Sequence, residues 1–85
     1  MKNIKIKVSI IGAGYMAIEH IKVFSSISGV KIVGIHSRTK SKAQSVAIQF
    51  NIPFVAETIA DLYEKTKADL LVIAVSELGV YSVVQ

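Results

Sequence analysis

Gly12, Gly14 and Ala17 stand in the spacing G-x-G-x-x-A directly after the apolar run Ile6-Lys7-Val8-Ser9-Ile10-Ile11. The chemistry this spacing serves is anion binding. Gly12 lets the chain turn sharply off a strand, Gly14 removes a side chain so that backbone can approach a pyrophosphate, and Ala17 lets the next helix pack closely on that strand. The helix N-terminus then offers unpaired N–H groups and a partial positive charge, so the loop needs no lysine or arginine of its own. Tyr15 and Met16 occupy the variable positions; Met16 is expected to meet the ligand through its backbone N–H, and Tyr15 to line the cleft. Small residues also make ordinary tight turns, and it is the placement between a strand and a helix that favours a dinucleotide as the ligand.

A second group of residues bears on which dinucleotide. About 20 residues past the glycines, an Asp or Glu would accept hydrogen bonds from the ribose hydroxyls of NAD and repel a 2′-phosphate. That place is held by Ser37, followed by Arg38 and Thr39. Ser37 and Thr39 can donate hydrogen bonds, and the planar Arg38 guanidinium suits a phosphate or an adenine face. NADP is therefore expected in preference to NAD. The bland readings are a solvated loop cation for Arg38 and a helix cap for Thr39. Lys40 and Lys42 read as exposed helix charges adding a diffuse attraction.

Other chemistry-bearing side chains give less. His36 lies at the adenosine end of such a site, far from hydride chemistry, and no catalytic role is expected of it. His20, beside Glu19, has no third ligand in view, and no metal site is expected. Val75 and Ser76 fall at the carboxyl end of a late apolar run, where open α/β sheets bind ligands, and are expected to touch cofactor. Glu77 reads as a solvated loop acid. No catalytic residue is assigned.

The elements that must position these groups follow from periodicity. Ala17, Ile21 and Phe24, with Val23 and Ile27 beside them, mark a helix from about Tyr15 to Ile27, ended by Ser28-Gly29. Val30 to His36 reads as a second strand, nearly continuous in apolar residues as expected where helices cover both sheet faces. Ala43, Val46, Ala47 and Phe50 define a second helix, capped by Thr39 and closed at Asn51. Pro53-Phe54-Val55 is a short third strand. Thr58 with Asp61 resembles a capping box opening a third helix through Tyr63 to Lys65, and Asp69 to Val75 is the fourth strand. The order β-α-β-α-β-α-β predicts an α/β fold, a doubly wound parallel sheet of about four strands in the order 3-2-1-4 with right-handed crossovers. The outer edge of the fourth strand would be bare.

Bulk properties bound the rest. The chain has 85 residues, 52% of them hydrophobic, and a mean hydropathy of +0.53. A domain of this size hides only about 60% of its unfolded surface. So much apolar sequence, ending without a helix cap or polar tail, leads to the expectation that residues 1–85 are a truncated nucleotide-binding domain. Cysteine is absent, which removes thiolate chemistry and disulfides. No run reaches the ~20 apolar residues of a membrane helix. Lys2 to Lys7 followed by Val8 to Ile18 can be read as a signal peptide, but the glycines interrupt it and the pattern needs it as a strand. A cytoplasmic, soluble protein is expected. The net charge of +4, from ten basic and six acidic residues, is dispersed apart from Arg38, Lys40 and Lys42. Without a basic stripe or spaced aromatics, no nucleic-acid or membrane partner is expected.

Lys7 to Ala17, Glu19-His20-Ile21, Ser37-Arg38-Thr39 and Leu71-Val72-Ile73-Ala74-Val75 together resemble the start of the Gfo/Idh/MocA oxidoreductases, which include glucose-fructose oxidoreductase and inositol dehydrogenase. The resemblance covers nearly the whole chain. It implies a nicotinamide-binding Rossmann domain, followed in a longer parent by an α+β domain that supplies substrate contacts and much of a homo-oligomer interface. It further implies hydride exchange with a sugar, cyclitol or similar carbonyl/alcohol substrate. Two departures stand out. The family's Pro-Asn-x-x-His-like stretch is Ser76-Glu77-Leu78-Gly79-Val80 here, and its Glu-Lys-Pro motif, with the usual catalytic lysine, has no counterpart. A non-catalytic nucleotide-binding regulatory module is the alternative reading, and an assembly surface built on the bare strand edge is a third.

Overall fold

The computed structural model describes residues 6–74. Its elements run β1 (Ile6–Ile11), α1 (Tyr15–Ser25), β2 (Val30–His36), α2 (Lys40–Phe50), β3 (Val55–Ala56), α3 (Ile59–Thr66) and β4 (Leu70–Ile73). All pairings are parallel, and the strand order is β3-β2-β1-β4. This is the expected incomplete Rossmann-type sheet.

Alternation along the strands explains the two layers. Val8 and Ile10 of β1 with Ile32 and Ile35 of β2 share one core with Ala17 and Ile21 of α1 and Ala43, Val46 and Ala47 of α2. Ile11 and Ala56 point the other way and pack with Leu62 of α3. Helices thus cover both faces of β1 and β2, which is why these strands carry so few polar residues. Val8, Ile10, Ile21, Ile35 and Leu62 are fully buried.

Strand β2 holds one residue more than β1 between its ends. Val8 pairs with Ile32 but Ser9 with Gly34, so Val33 is an extra residue in a bulge. The bulge turns Gly34 toward α3, where a Cβ would lie 2.7 Å from Thr66 Cγ2 and 2.8 Å from Leu62 Cδ1. The bare backbone of Gly34 is what lets α3 sit this close to the sheet. At the same place the buried Ser9 and Thr66 hydroxyls are 2.9 Å apart, and Thr66 donates to the Leu62 carbonyl at 2.6 Å. With Thr66's single hydrogen committed, Ser9 is the donor to Thr66.

Helix ends follow local chemistry. Thr58 Oγ1 accepts from the Asp61 N–H at 3.0 Å, the hydroxyl half of the expected capping box. Asn51 and Lys67 close α2 and α3 in the left-handed conformation, their N–H groups bonding to the carbonyls of Ala47 and Tyr63. Asp69 extends the β1–β4 pairing: its N–H donates to the Lys7 carbonyl and its carboxylate accepts from the Lys7 N–H, both at 2.8 Å.

Several expectations need correction. Helix α1 stops at Ser25, two residues short of Ile27, because Ser26 closes it with side-chain and backbone bonds to Val23. Val23 and Ile27 are exposed instead of joining the buried stripe. The third strand begins at Val55, since Pro53 lies in the turn that follows Asn51. Strand β4 spans Leu70–Ile73, and Val75 lies outside the described residues. Among the described residues β4 has β1 as its one neighbour, and Leu70, Leu71 and Ile73 are all exposed.

Candidate functional site

Parallel pairing puts every βα loop at the same edge of the sheet, and short backbone bonds lock those loops together. The Gly12 N–H donates to the His36 carbonyl at 2.7 Å, the Ala74 N–H to the Ile11 carbonyl at 2.8 Å. The carboxyl ends of β2, β1 and β4 are thereby held in one row. Chain direction across the sheet reverses about β1, since β2 lies on one side of it and β4 on the other. Such a switch point opens a crevice at the carboxyl edge, and the glycine turn lies beside it.

Gly12 has φ 122° and is buried, a backbone state that side-chain-bearing residues rarely adopt. Gly14 is the N-cap of α1, and no side chain caps that end of the helix. The N–H groups of the first helical turn, at Tyr15, Met16 and Ala17, have no carbonyl a turn earlier within the helix. The first turn carries no acidic residue. A Cβ on Gly14 would meet nothing within 4 Å among the described residues, so no neighbouring atom there demands glycine. That open space at the helix N-terminus fits a pyrophosphate seated there. Ala17 is fully buried in the helix–sheet core, as the spacing requires. Tyr15 is 74% and Met16 51% exposed, both free to lie along a ligand.

The second group lies after β2. Ser37 is half-buried and its Oγ accepts from the Thr39 N–H at 3.2 Å, holding the loop in a tight turn. Thr39 is at the N-cap of α2, but its hydroxyl makes no capping bond, contrary to expectation; its carbonyl instead receives the Lys42 and Ala43 N–H groups. Arg38 is exposed and makes no ion pair among the described residues. Lys40 is no diffuse charge: its Nζ lies 2.5 Å from Oε2 of Glu57, a residue that sequence reasoning missed. The hydrogen bond from Lys40 and then its positive charge hold the Glu57 carboxyl below its usual range. Glu57 follows the β3 residue Ala56, which pairs with His36, and it is this register that brings the end of β3 to the start of α2.

The histidines are engaged structurally. His36 Nδ1 lies 3.0 Å from the Ala56 carbonyl and ties the ends of β2 and β3, and His20 Nδ1 bonds to the Met16 carbonyl one turn back on α1. With a carbonyl as the only acceptor, each ring nitrogen carries the proton in its bond. No group of three potential metal ligands occurs among the described residues, and no helix there is long and apolar enough to cross a membrane. Ser76 and Glu77, like Val75, lie outside the described residues. An open concavity lined by Ala47, Ile48, Ile52 and Pro53 lies beside the entry of β3, at the opposite edge of the sheet from the glycine turn.

A parallel sheet in this order with a glycine turn at its switch point defines a dinucleotide-binding α/β domain. The model of the Gfo/Idh/MocA oxidoreductases, described as an oxidoreductase family with an NAD-binding Rossmann fold, matches residues 6–83, and the chain belongs to this family. Solved structures share the fold. An oxidoreductase from Agrobacterium radiobacter in complex with NAD+, L-tartaric acid and magnesium is 24% identical with a TM-score of 0.79, over 93% of this chain and 23% of that one. A myo-inositol dehydrogenase from Lactobacillus casei, in complex with NAD(H) and myo-inositol, is 21% identical with a TM-score of 0.75, over 82% and 21%. A biliverdin reductase from Synechocystis, in complex with biliverdin and NADP+, is 23% identical with a TM-score of 0.72, over 81% and 22%. The chain thus spans less than a quarter of the length of each of these structures. Comparison with curated protein sequences gives no match.

Proposed function

We propose that this chain is the cofactor-holding part of a cytoplasmic NAD(P)-dependent oxidoreductase and that it prefers NADP. The observation that carries the reading is Gly14: it opens α1 where no atom among the described residues requires a glycine, with first-turn N–H groups that no side chain there caps. Backbone of Tyr15 and Met16 holds the pyrophosphate, Ser37, Arg38 and Thr39 take the adenosine ribose and its 2′-phosphate, and Val75 and Ser76 border the nicotinamide side. The preference for NADP is supported by the missing carboxylate at Ser37, and by an Arg38 without an ion pair and a Thr39 hydroxyl without a capping bond among the described residues.

The nicotinamide, when bound, supplies the hydride chemistry; this chain's residues orient it and fix its phosphates. The substrate, a sugar, cyclitol or other carbonyl/alcohol compound, and the homo-oligomer interface belong to a longer parent, in which residues 1–85 are a truncated part of the nucleotide-binding domain. Calorimetric titration of the chain with NADP and NAD, beside the Arg38→Ala variant, tests this. Tighter binding of NADP, lost in the variant, is expected; equal affinities for the two nucleotides overturn the preference.

A further inference from the structure

The Lys40–Glu57 pair joins the residue that opens α2 to the residue that follows β3, at the corner where Ser37, Arg38 and Thr39 lie. We propose that Glu57 is a specificity-determining counter-anion: it occupies Lys40, and a 2′-phosphate must draw Lys40 away from it, so Glu57 weakens the chain's discrimination in favour of NADP. The inference rests on the phosphate reading of the Ser37–Thr39 loop.

Three observations carry it. The first is position. His36 pairs with Ala56 and their side chain and carbonyl are bonded at 3.0 Å, so Ser37 and Glu57 each follow the last paired residue of adjacent strands, and Ser37 holds the place where an NAD-selective domain of this fold carries its own acid. The second is commitment. Lys40 Nζ and Glu57 Oε2 are 2.5 Å apart, a charge-assisted bond, whereas Arg38 has no acidic partner among the described residues. Of the cations flanking Thr39, one is therefore available at once and the other only by exchange. The third is exposure. Both side chains are more than half exposed, so the pair is screened by water and a dianionic phosphate competes for the lysine with little reorganisation.

Phosphate and carboxylate are rival acceptors for the same ammonium, and no covalent step is involved. NAD, with free ribose hydroxyls, gains nothing from Lys40 and is indifferent to what Lys40 holds. Neutralising Glu57 therefore acts on NADP alone.

The test is calorimetric titration of the 85-residue chain and its Glu57→Gln, Lys40→Met and doubly substituted variants with NADP and with NAD, circular dichroism confirming that each is folded. Glu57→Gln is expected to tighten NADP roughly two- to fivefold, the scale of an exposed ion pair, and to leave NAD unchanged. In the Lys40→Met background, Glu57→Gln is expected to have no further effect on NADP. A carbon-13 pH titration of the Glu57 carboxyl adds a direct readout: its pKa rises when NADP binds and stays put with NAD. An unchanged NADP affinity in Glu57→Gln, a parallel change in NAD, or an effect that persists without Lys40 overturns the proposal. If Arg38→Ala selectively weakens NADP while Glu57→Gln does nothing, the phosphate reading stands and the counter-anion role falls. If NADP and NAD bind alike and Arg38→Ala alters neither, both fall.

Discussion

Glycines at three places lack a side chain for three different reasons, and substitution separates them. Gly14 faces open space at a φ of −92° that any residue adopts, so Gly14→Val is expected to leave the melting temperature nearly unchanged while weakening NAD(P) binding by tenfold or more, read by thermal denaturation and calorimetry. Gly12, at φ 122°, answers to backbone conformation, and Gly12→Ala should cost about 1–3 kcal/mol of stability in a urea titration. Gly34 answers to packing: its alanine variant must push Thr66 and Leu62 aside at a cost of about 1–3 kcal/mol, with nucleotide contacts untouched. The roles of Gly12 and Gly14 were readable because their spacing is tied to a mechanism. That of Gly34 was hidden, because its neighbours come from a helix almost thirty residues downstream. Glu57 was hidden for the same reason, its partner lying 17 residues away across a strand crossover.

Among the elements, α3 is held to the sheet by a polar contact as well as by Leu62. Ser9 donates to Thr66, and Thr66 to the Leu62 carbonyl, inside an otherwise apolar layer. Thr66→Val strands the Ser9 hydroxyl and is expected to cost about 1–3 kcal/mol, and adding Ser9→Ala should recover part of that loss in the same denaturation assay. Thr58→Ala removes the α3 cap and should cost about 1 kcal/mol. All seven elements were legible in order and type, since each combines a clear apolar period with a turn signal. Their ends were less so. Val23 and Ile27 fit beside a helical stripe by spacing, yet Val23 lies on the exposed side of α1, away from the buried Ala17 and Ile21, and Ile27 falls beyond the helix end at Ser25. Thr39 stands where a cap belongs, but the Lys42 N–H that its hydroxyl would take bonds to the Thr39 carbonyl, and no capping bond forms among the described residues.

For the molecule as a whole, protection should follow depth in the sheet. Strand β1 is paired on both sides and its residues Val8 to Ile11 are buried, whereas β3 has two residues and β4 pairs through β1 alone among the described residues. Hydrogen exchange is expected to be slowest at Val8 to Ile11 and at Ile32 to Ile35, and faster along β4. Equal protection of β4 and β1 would mean that the outer edge of β4 is covered. The strand order was legible because parallel crossovers of one hand leave few topologies open. The extra residue in β2 was not, since Val30 to His36 reads equally well as an unbroken strand.

That extra residue gives the sheet a tolerance to changes in length. Without Val33, the remaining residues of β2 would meet β1 one for one, each still facing the layer it faces now. The strand carries a spare link: a one-residue deletion at Val33 would shorten the path between α1 and the Ser37 corner without turning the chain inside out, whereas the same deletion at Ser9 would send the rest of β1 to the wrong side. The length of β2 and the projection of the loop that follows it are thus separable from the register of the central strand.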